Sequence, residues 1–362
     1  VCQDHQGVGG RGRELTDNRS DPRRGPGPVE DSAGMRAAFI ETLGAPEDIR
    51  YGDLPAPRTG PADVLVDVVA TTVNPVDTFV RSGVFRTALD FPFVVGRDLV
   101  GTVAAVGPLV SGFAVGDLVW SNSLGHAGRQ GAAAERAAVP ADRLYHLPAG
   151  VDPVRAVAVV HPAATAYLGL FTHGGLRAGR TVLVCGAAGN VGAALVALAV
   201  DAGARVVATA AARDAAYCRE SGAEVVLDYR DPALTGRLAE ACPDGVDLYL
   251  DTSGVNDLAA AVGLLAPRGR IVLLAGAASR PVLPVGPLYM KDCSIAGFVI
   301  SHATTAELAA AAAAVNRLLA AGRLRPRAVE VLPLSEAARV HGRMERGELH
   351  GRRVVLRPGD RA

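Results

Sequence analysis

The stretch VLVCGAAGNVGAALVALA, residues 182–199, decides the fold. An aliphatic run meets a glycine-studded turn, and an alanine-rich helical stretch follows. The spacing is Ala187-x-Gly189-x-x-Gly192, with Gly186 just ahead. Gly189 would let the backbone approach a pyrophosphate, and Gly192 would let the helix pack close to the strand. The amides of Asn190 and Val191, with the positive helix end behind them, would then hold the phosphates. A glycine turn can also serve packing alone, so the surrounding chain has to decide.

Outward from this turn, the second half alternates strands with helices. TVLVCG, RVVATA, EVVLDY, DLYLDT, RIVLLAG and SIAGFV, from residue 181 to residue 299, are six candidate strands. Their centres are nearly all apolar, as strands buried on both faces must be. Helical stretches at 191–202, 257–265 and 304–321 separate or follow them. That rhythm predicts an α/β fold with a doubly wound parallel sheet, a Rossmann domain, and the glycine turn opens its first βα unit. Dinucleotide binding follows, with Gly276 at the end of the fifth strand among the contacts.

An NAD site places an acid at the end of the second strand, where it accepts the ribose hydroxyls. Here that strand ends VVATAAARDAA, with alanines at the acid's place and Arg213 directly after. An Arg attracts a 2′-phosphate and can bond it bidentately, whereas a carboxylate would repel it. Tyr229, closing the third strand in LDYR, can stack on or donate to the same end. The expected cofactor is NADPH.

Before residue 160 the pattern is different. Short β-runs such as VLVDVVATTV (64–73) and VGTVAAVG (100–107) are punctuated by Gly and Pro, which suits a small, mainly antiparallel barrel or sandwich. After the sixth strand, AVEVLPL and RRVVLRP are too little for a domain, so they are expected to rejoin the first one. The expected domains are 35–160 with 301–362, and 161–300. Residues 1–34 are rich in Gly, Pro and charge and nearly empty of large apolar groups, which reads as a disordered tail or a misplaced start of translation.

Lys plus Arg number 37 and Asp plus Glu 37, so no global basic field exists to hold nucleic acid or an anionic membrane. No apolar run is read as reaching the roughly 18–20 residues of a membrane span. Five scattered cysteines without a CxxC disfavour a disulfide framework and a cysteine-rich zinc site, and they fit a reducing, cytoplasmic compartment.

NPVDTFVRSG (74–83), FPFVVGRDLVGTVAAVG (91–107), TAY (165–167), GAAGNVG and LDYR together resemble the quinone oxidoreductase branch of the medium-chain dehydrogenase/reductase superfamily, the zeta-crystallin-like enzymes. The resemblance covers residues 35–358. It implies a GroES-like catalytic domain clasping the Rossmann domain, NADPH in the cleft and a homodimer. Zinc members of the superfamily carry a Cys where Asn74 stands and a His where Arg97 stands. Asn and Arg supply neither thiolate nor imidazole, so no metal is expected. Asp98 alone makes no metal site, and His126 and His161 read as loop or packing histidines.

Without metal, reduction needs an acceptor stacked on the nicotinamide and polar groups on the forming oxyanion. The resemblance makes Asn74 the candidate for bonding substrate oxygen or the nicotinamide ribose, and Thr165 a contact to the nicotinamide side. Asp77 is read as a loop cross-link with Arg81 as partner. Phe79 and Phe85 stand where some members have tyrosines, leaving a flat apolar wall without a phenol. The expected activity is hydride transfer to a quinone or an α,β-unsaturated carbonyl. An enoyl-thioester reductase, or a non-catalytic NADPH-binding structural protein, are the alternatives.

Overall fold

The computed structural model describes residues 34–359. The expected N-terminal tail lies outside the described residues except for Gly34, which opens the strand Gly34–Ile40.

The six strands of the second half form one parallel sheet. Its order is Val225–Asp228, Arg205–Ala210, Thr181–Cys185, Val246–Asp251, Leu265–Leu273 and Ser294–Gly297. Val182, Leu183 and Val184 are fully buried, as a central strand covered on both faces requires. The chain order reverses at Thr181–Cys185, so a crevice opens at the carboxyl end of that strand.

The first half builds on the long strand Asp63–Thr72. It pairs antiparallel with Asp98–Val106 and Arg136–Pro140, and Leu118–Ser121 continues the sheet. The end of the chain returns to it. Arg353–Arg357 sets Val355 opposite Thr72, and Val329–Pro333 runs parallel beside that strand. A smaller sheet orders Arg50–Pro55, Gly34–Ile40 and Phe93–Val94.

Between the two large sheets runs the helix Pro153–Tyr167, continued by a wider turn at Leu168–Thr172. Here a sequence expectation is corrected. Pro153–Thr172 spans 20 residues at a mean hydropathy of 1.4, long and apolar enough to cross a membrane, yet 72% of its apolar window is buried inside the protein. It is apolar because both sides are covered, by Ala70, Val100 and Trp120 of one sheet and by Val182, Val184 and Val272 of the other. The expected boundary at 160/161 falls inside this helix, and the one at 300/301 falls inside the tight turn Ile300–His302. A second helix, Thr305–Ala320, spans the same junction. Asn316 accepts from Trp120 Nε1 at 2.9 Å, while Arg317 pairs with Asp201 at 2.6 Å.

Pro162 sits within the helix Pro153–Tyr167. It has no N–H, so the carbonyl of Ala158, four residues earlier, loses its helical donor. Arg353 Nε donates to that carbonyl at 2.9 Å. The same buried guanidinium donates to Thr72 Oγ1 at 2.9 Å, Asn74 Oδ1 at 3.0 Å and the Val73 carbonyl at 3.3 Å. One side chain from the last strand thus ties this helix to Asn74, the cap of the helix Pro75–Arg81. Removing one partner from a buried charged network costs about 3–5 kcal/mol. Arg353→Met should therefore lower the urea midpoint of unfolding markedly, and a midpoint equal to wild type would refute this role.

Candidate active site

The glycine turn lies at the carboxyl end of the central strand, where Gly186 adopts φ 77°, a conformation that favours glycine. A Cβ on Gly192 would stand 2.2 Å from the Gly186 carbonyl oxygen, so the helix Asn190–Asp201 can approach the turn only without one. Gly189 caps that helix and offers no side-chain acceptor to the first-turn amides, which include Asn190 and Val191. These amides, the bare backbone at Gly189 and the helix dipole fit a pyrophosphate. Ala187 is placed differently from expectation. Its N–H is taken by the Thr209 carbonyl at 3.0 Å, so it braces the turn against the second strand. Gly276 (φ 81°) packs against Gly254, and Asn256 holds the turn by donating to the Ala275 carbonyl at 3.0 Å. A cavity of about 360 Å³, lined by Pro162, Asn190, Tyr217 and Arg327 among others, lies between that helix and the helix Pro153–Tyr167. It shares only Asn190 with the glycine turn and is not the crevice.

At the end of the second strand, Arg213 lies in the turn Ala212–Asp214 with its side chain 66% exposed. Among the described residues its ion pair is a 3.9 Å approach to Asp214, a carboxylate already bound by Arg327 at 2.7 Å and His350 at 3.2 Å. The Tyr229 amide donates to the Ala210 carbonyl at 3.2 Å, which sets this exposed tyrosine beside the same strand end. Asp228 lies opposite Ala210 in register, and its carboxylate accepts the Arg230 amide at 3.0 Å.

Across the crevice, Asp98 is wholly buried and fixed by three donors. Thr72 Oγ1 donates at 2.9 Å and Asn74 Nδ2 at 2.8 Å, while His161 Nδ1 lies 3.0 Å from the other carboxylate oxygen. Asn74 is therefore committed on both sides, to Asp98 and to Arg353. It is a buried bridge, which corrects its expected place as a direct contact to substrate. Asp77 accepts the Asn74 amide at 2.7 Å, and burial together with the Asp98 charge pushes its carboxyl up to about 6. Arg81 is not its partner; Arg81 bonds Glu345 and the Gly44 carbonyl. Thr165 Oγ1 donates to the His161 carbonyl at 3.0 Å, placing both residues one turn apart on the helix Pro153–Tyr167.

Three rings from three chain segments close the site. Phe85 lies 5.6 Å from His126 and 5.9 Å from His302, and the two histidines are 6.3 Å apart. His302 follows the sixth parallel strand, so the wall joins both halves of the molecule. Phe79 is not part of it. That ring is 40% exposed on the helix Pro75–Arg81 and takes part in none of these contacts. Sequence reading missed His302, Arg353 and the pairing of Asp98 with His161. Only the combination of Pro162 inside an apolar helix with an Arg in the closing RRVV run hinted at any of them.

Residues 60–149 match the family described as alcohol dehydrogenase GroES-like domain, and residues 190–316 match the one described as zinc-binding dehydrogenase. A quinone oxidoreductase of Lama guanicoe is 30% identical over 89% of this chain and 97% of its own length. The chain belongs to the zinc-free quinone oxidoreductase branch of the medium-chain dehydrogenase/reductase superfamily. It is a nicotinamide-dependent oxidoreductase. Two solved members of this superfamily bracket the cofactor question. A mycobacterial protein determined in complex with NADPH superposes with a TM-score of 0.76, at 32% identity over 90% of this chain and all of its own. A protein described as an NAD-dependent alcohol dehydrogenase superposes at 0.80, at 31% identity over 90% and all of its own. Asn74 and Arg97 supply neither thiolate nor imidazole. Among the described residues no group of three His, Cys, Asp or Glu side chains stands close enough to hold a metal ion.

Proposed function

We propose that this oxidoreductase uses NADPH and delivers hydride, without zinc, to a quinone or another α,β-unsaturated carbonyl. The observation that carries the reading is the wall of Phe85, His126 and His302, with His126 near enough to Arg97 to feel its charge; Arg97 and Asn74 offer zinc neither thiolate nor imidazole. A flat conjugated acceptor fits such a wall, and the bound nicotinamide supplies the hydride. Thr165 is proposed as a contact to the nicotinamide end, Phe85 as an acceptor contact, and Gly189, Asn190, Val191, Gly192 and Gly276 as the cofactor cradle. After treatment with a chelator, the protein should oxidise NADPH with quinones and enals and be slower with enoyl thioesters. Preference for the thioesters would make it a reductase of acyl carriers, and silence across the panel would make it a non-catalytic binder.

The choice of NADPH is supported by Arg213 and Tyr229 beside a strand end that carries alanines. A hydrogen bond to a charged group contributes about 1.5–3 kcal/mol, roughly ten- to hundredfold in affinity. Arg213→Ala should weaken NADPH by about that factor and leave NADH nearly untouched, as titration of both cofactors would show. Equal affinity of wild type for the two would refute the assignment.

A homodimer is also proposed, in a reducing, cytoplasmic compartment. Ser294–Gly297 ends the parallel sheet with one side unpaired, and Val282, Val285, Tyr289 and Met290 just before it are exposed. An open strand edge beside an apolar patch suits a second copy of the chain. Light scattering should give twice the chain mass for wild type and the chain mass for Tyr289→Glu. A monomeric wild type would overturn the dimer.

A further inference from the structure

Arg97 is 2% exposed, yet its Nε and Nη2 have no hydrogen-bond partner among the described residues. Its nearest carboxylate is Asp77, 3.9 Å from Nε and already accepting the Asn74 amide. Asp98 next to it is bound by Thr72, Asn74 and His161, and Arg353 is bound to four oxygens. A buried guanidinium whose donors the fold does not use is costly, because those N–H groups have given up water without replacement.

Other unused polar groups lie beside it. The Leu124 amide donates to the Arg97 carbonyl at 3.2 Å, which draws the segment from Ser121 to His126 alongside. In that segment Ser123 Oγ and His126 Nδ1 are also buried and unpartnered. His126 belongs to the ring wall, 5.6 Å from Phe85. Burial, and after it the Arg97 charge, hold His126 down to about 4, so its ring is neutral at physiological pH. A fixed cation, a hydroxyl and a neutral imidazole therefore stand unused at the edge of the surface proposed for the acceptor.

We propose that Arg97 is a catalytic residue that bonds the carbonyl oxygen of the acceptor and stabilises the oxyanion formed on reduction, assisted by Ser123 and His126. This rests on the reduction proposed above. The acceptor gains a hydride at its β-carbon, and the reduced nicotinamide that supplies it is oxidised. The π pair of the acceptor's C=C bond shifts toward the carbonyl, and the C=O π pair ends on oxygen. A proton from water at the α-carbon then completes the saturated carbonyl. Positive charge fixed where negative charge develops is the part of the site that lowers the barrier.

The test uses the full chain and two readouts. Ionised 4-nitrophenol imitates the oxyanion, and its colour reports its protonation without any turnover. Wild type should bind it as the phenolate and lower its apparent pKa, whereas Arg97→Gln should abolish that shift and Arg97→Lys should keep part of it. With a quinone and an enal as acceptors, Arg97→Gln should lower kcat by about a hundredfold, in line with loss of an oxyanion donor, while NADPH affinity stays within twofold. Arg97→Lys should recover at least tenfold of that loss. Wild type that binds only neutral phenol, or none, overturns the proposal even if Arg97→Gln does not fold. A kcat for Arg97→Gln within threefold of wild type also overturns it. If wild type reduces no acceptor but binds the phenolate, the oxyanion site stands and the reductase reading falls.

Discussion

The site depends on a proline inside a helix. Pro162 cannot donate to Ala158, and the gap is filled by a guanidinium from the last strand of the chain. Arg353 then has donors left over, and it gives them to Thr72, Val73 and Asn74. Asp98 is fixed in turn by Thr72 and Asn74, and His161 by Asp98. An isolated charge at this depth would be expelled or neutralised; four oxygens make it tolerable. The return of the chain end to the first sheet therefore helps fix the cap of the helix Pro75–Arg81 at Asn74.

That network also accounts for the residues that stand at 74 and 97. A zinc ion would supply two positive charges to be balanced by thiolate or carboxylate. Here two arginines face two aspartates, with Asp77 pushed up to about 6 by burial and by its neighbour Asp98. Asn74 serves as a bridge because its amide group offers a donor to Asp98 and an acceptor to Arg353 at once. A cysteine thiol is only a weak donor and a weak acceptor. Arg97 is left with Nε and Nη2 that no group among the described residues takes.

The cofactor half obeys rules that act over a few residues. Glycine at 192 is demanded by a 2.2 Å clash that any Cβ would make, and apolar strand centres are demanded by burial on both faces. Both constraints leave their mark in adjacent positions, so this part could be read with its strand order implied. The other half obeys constraints between distant residues. Thr72, Asp98, His161 and Arg353 meet from four elements, and nothing near any one of them announces the others.

The sequence by itself determined the parallel sheet, the glycine turn that opens its first βα unit, the alanines that end the second strand, and the lack of thiolate or imidazole at Asn74 and Arg97. Each follows from local pattern or from side-chain chemistry. Only the tertiary structure decided that Ala187 faces the second strand, that Asn74 is spent inside the protein, and that Phe79 stays outside the ring wall. It alone showed that a span-length apolar run is a core helix between two sheets. Hydropathy records how much of a segment is buried, but not whether lipid or protein covers it. A side chain's type states which bonds it can make, and only its neighbours in space determine which of them are already made.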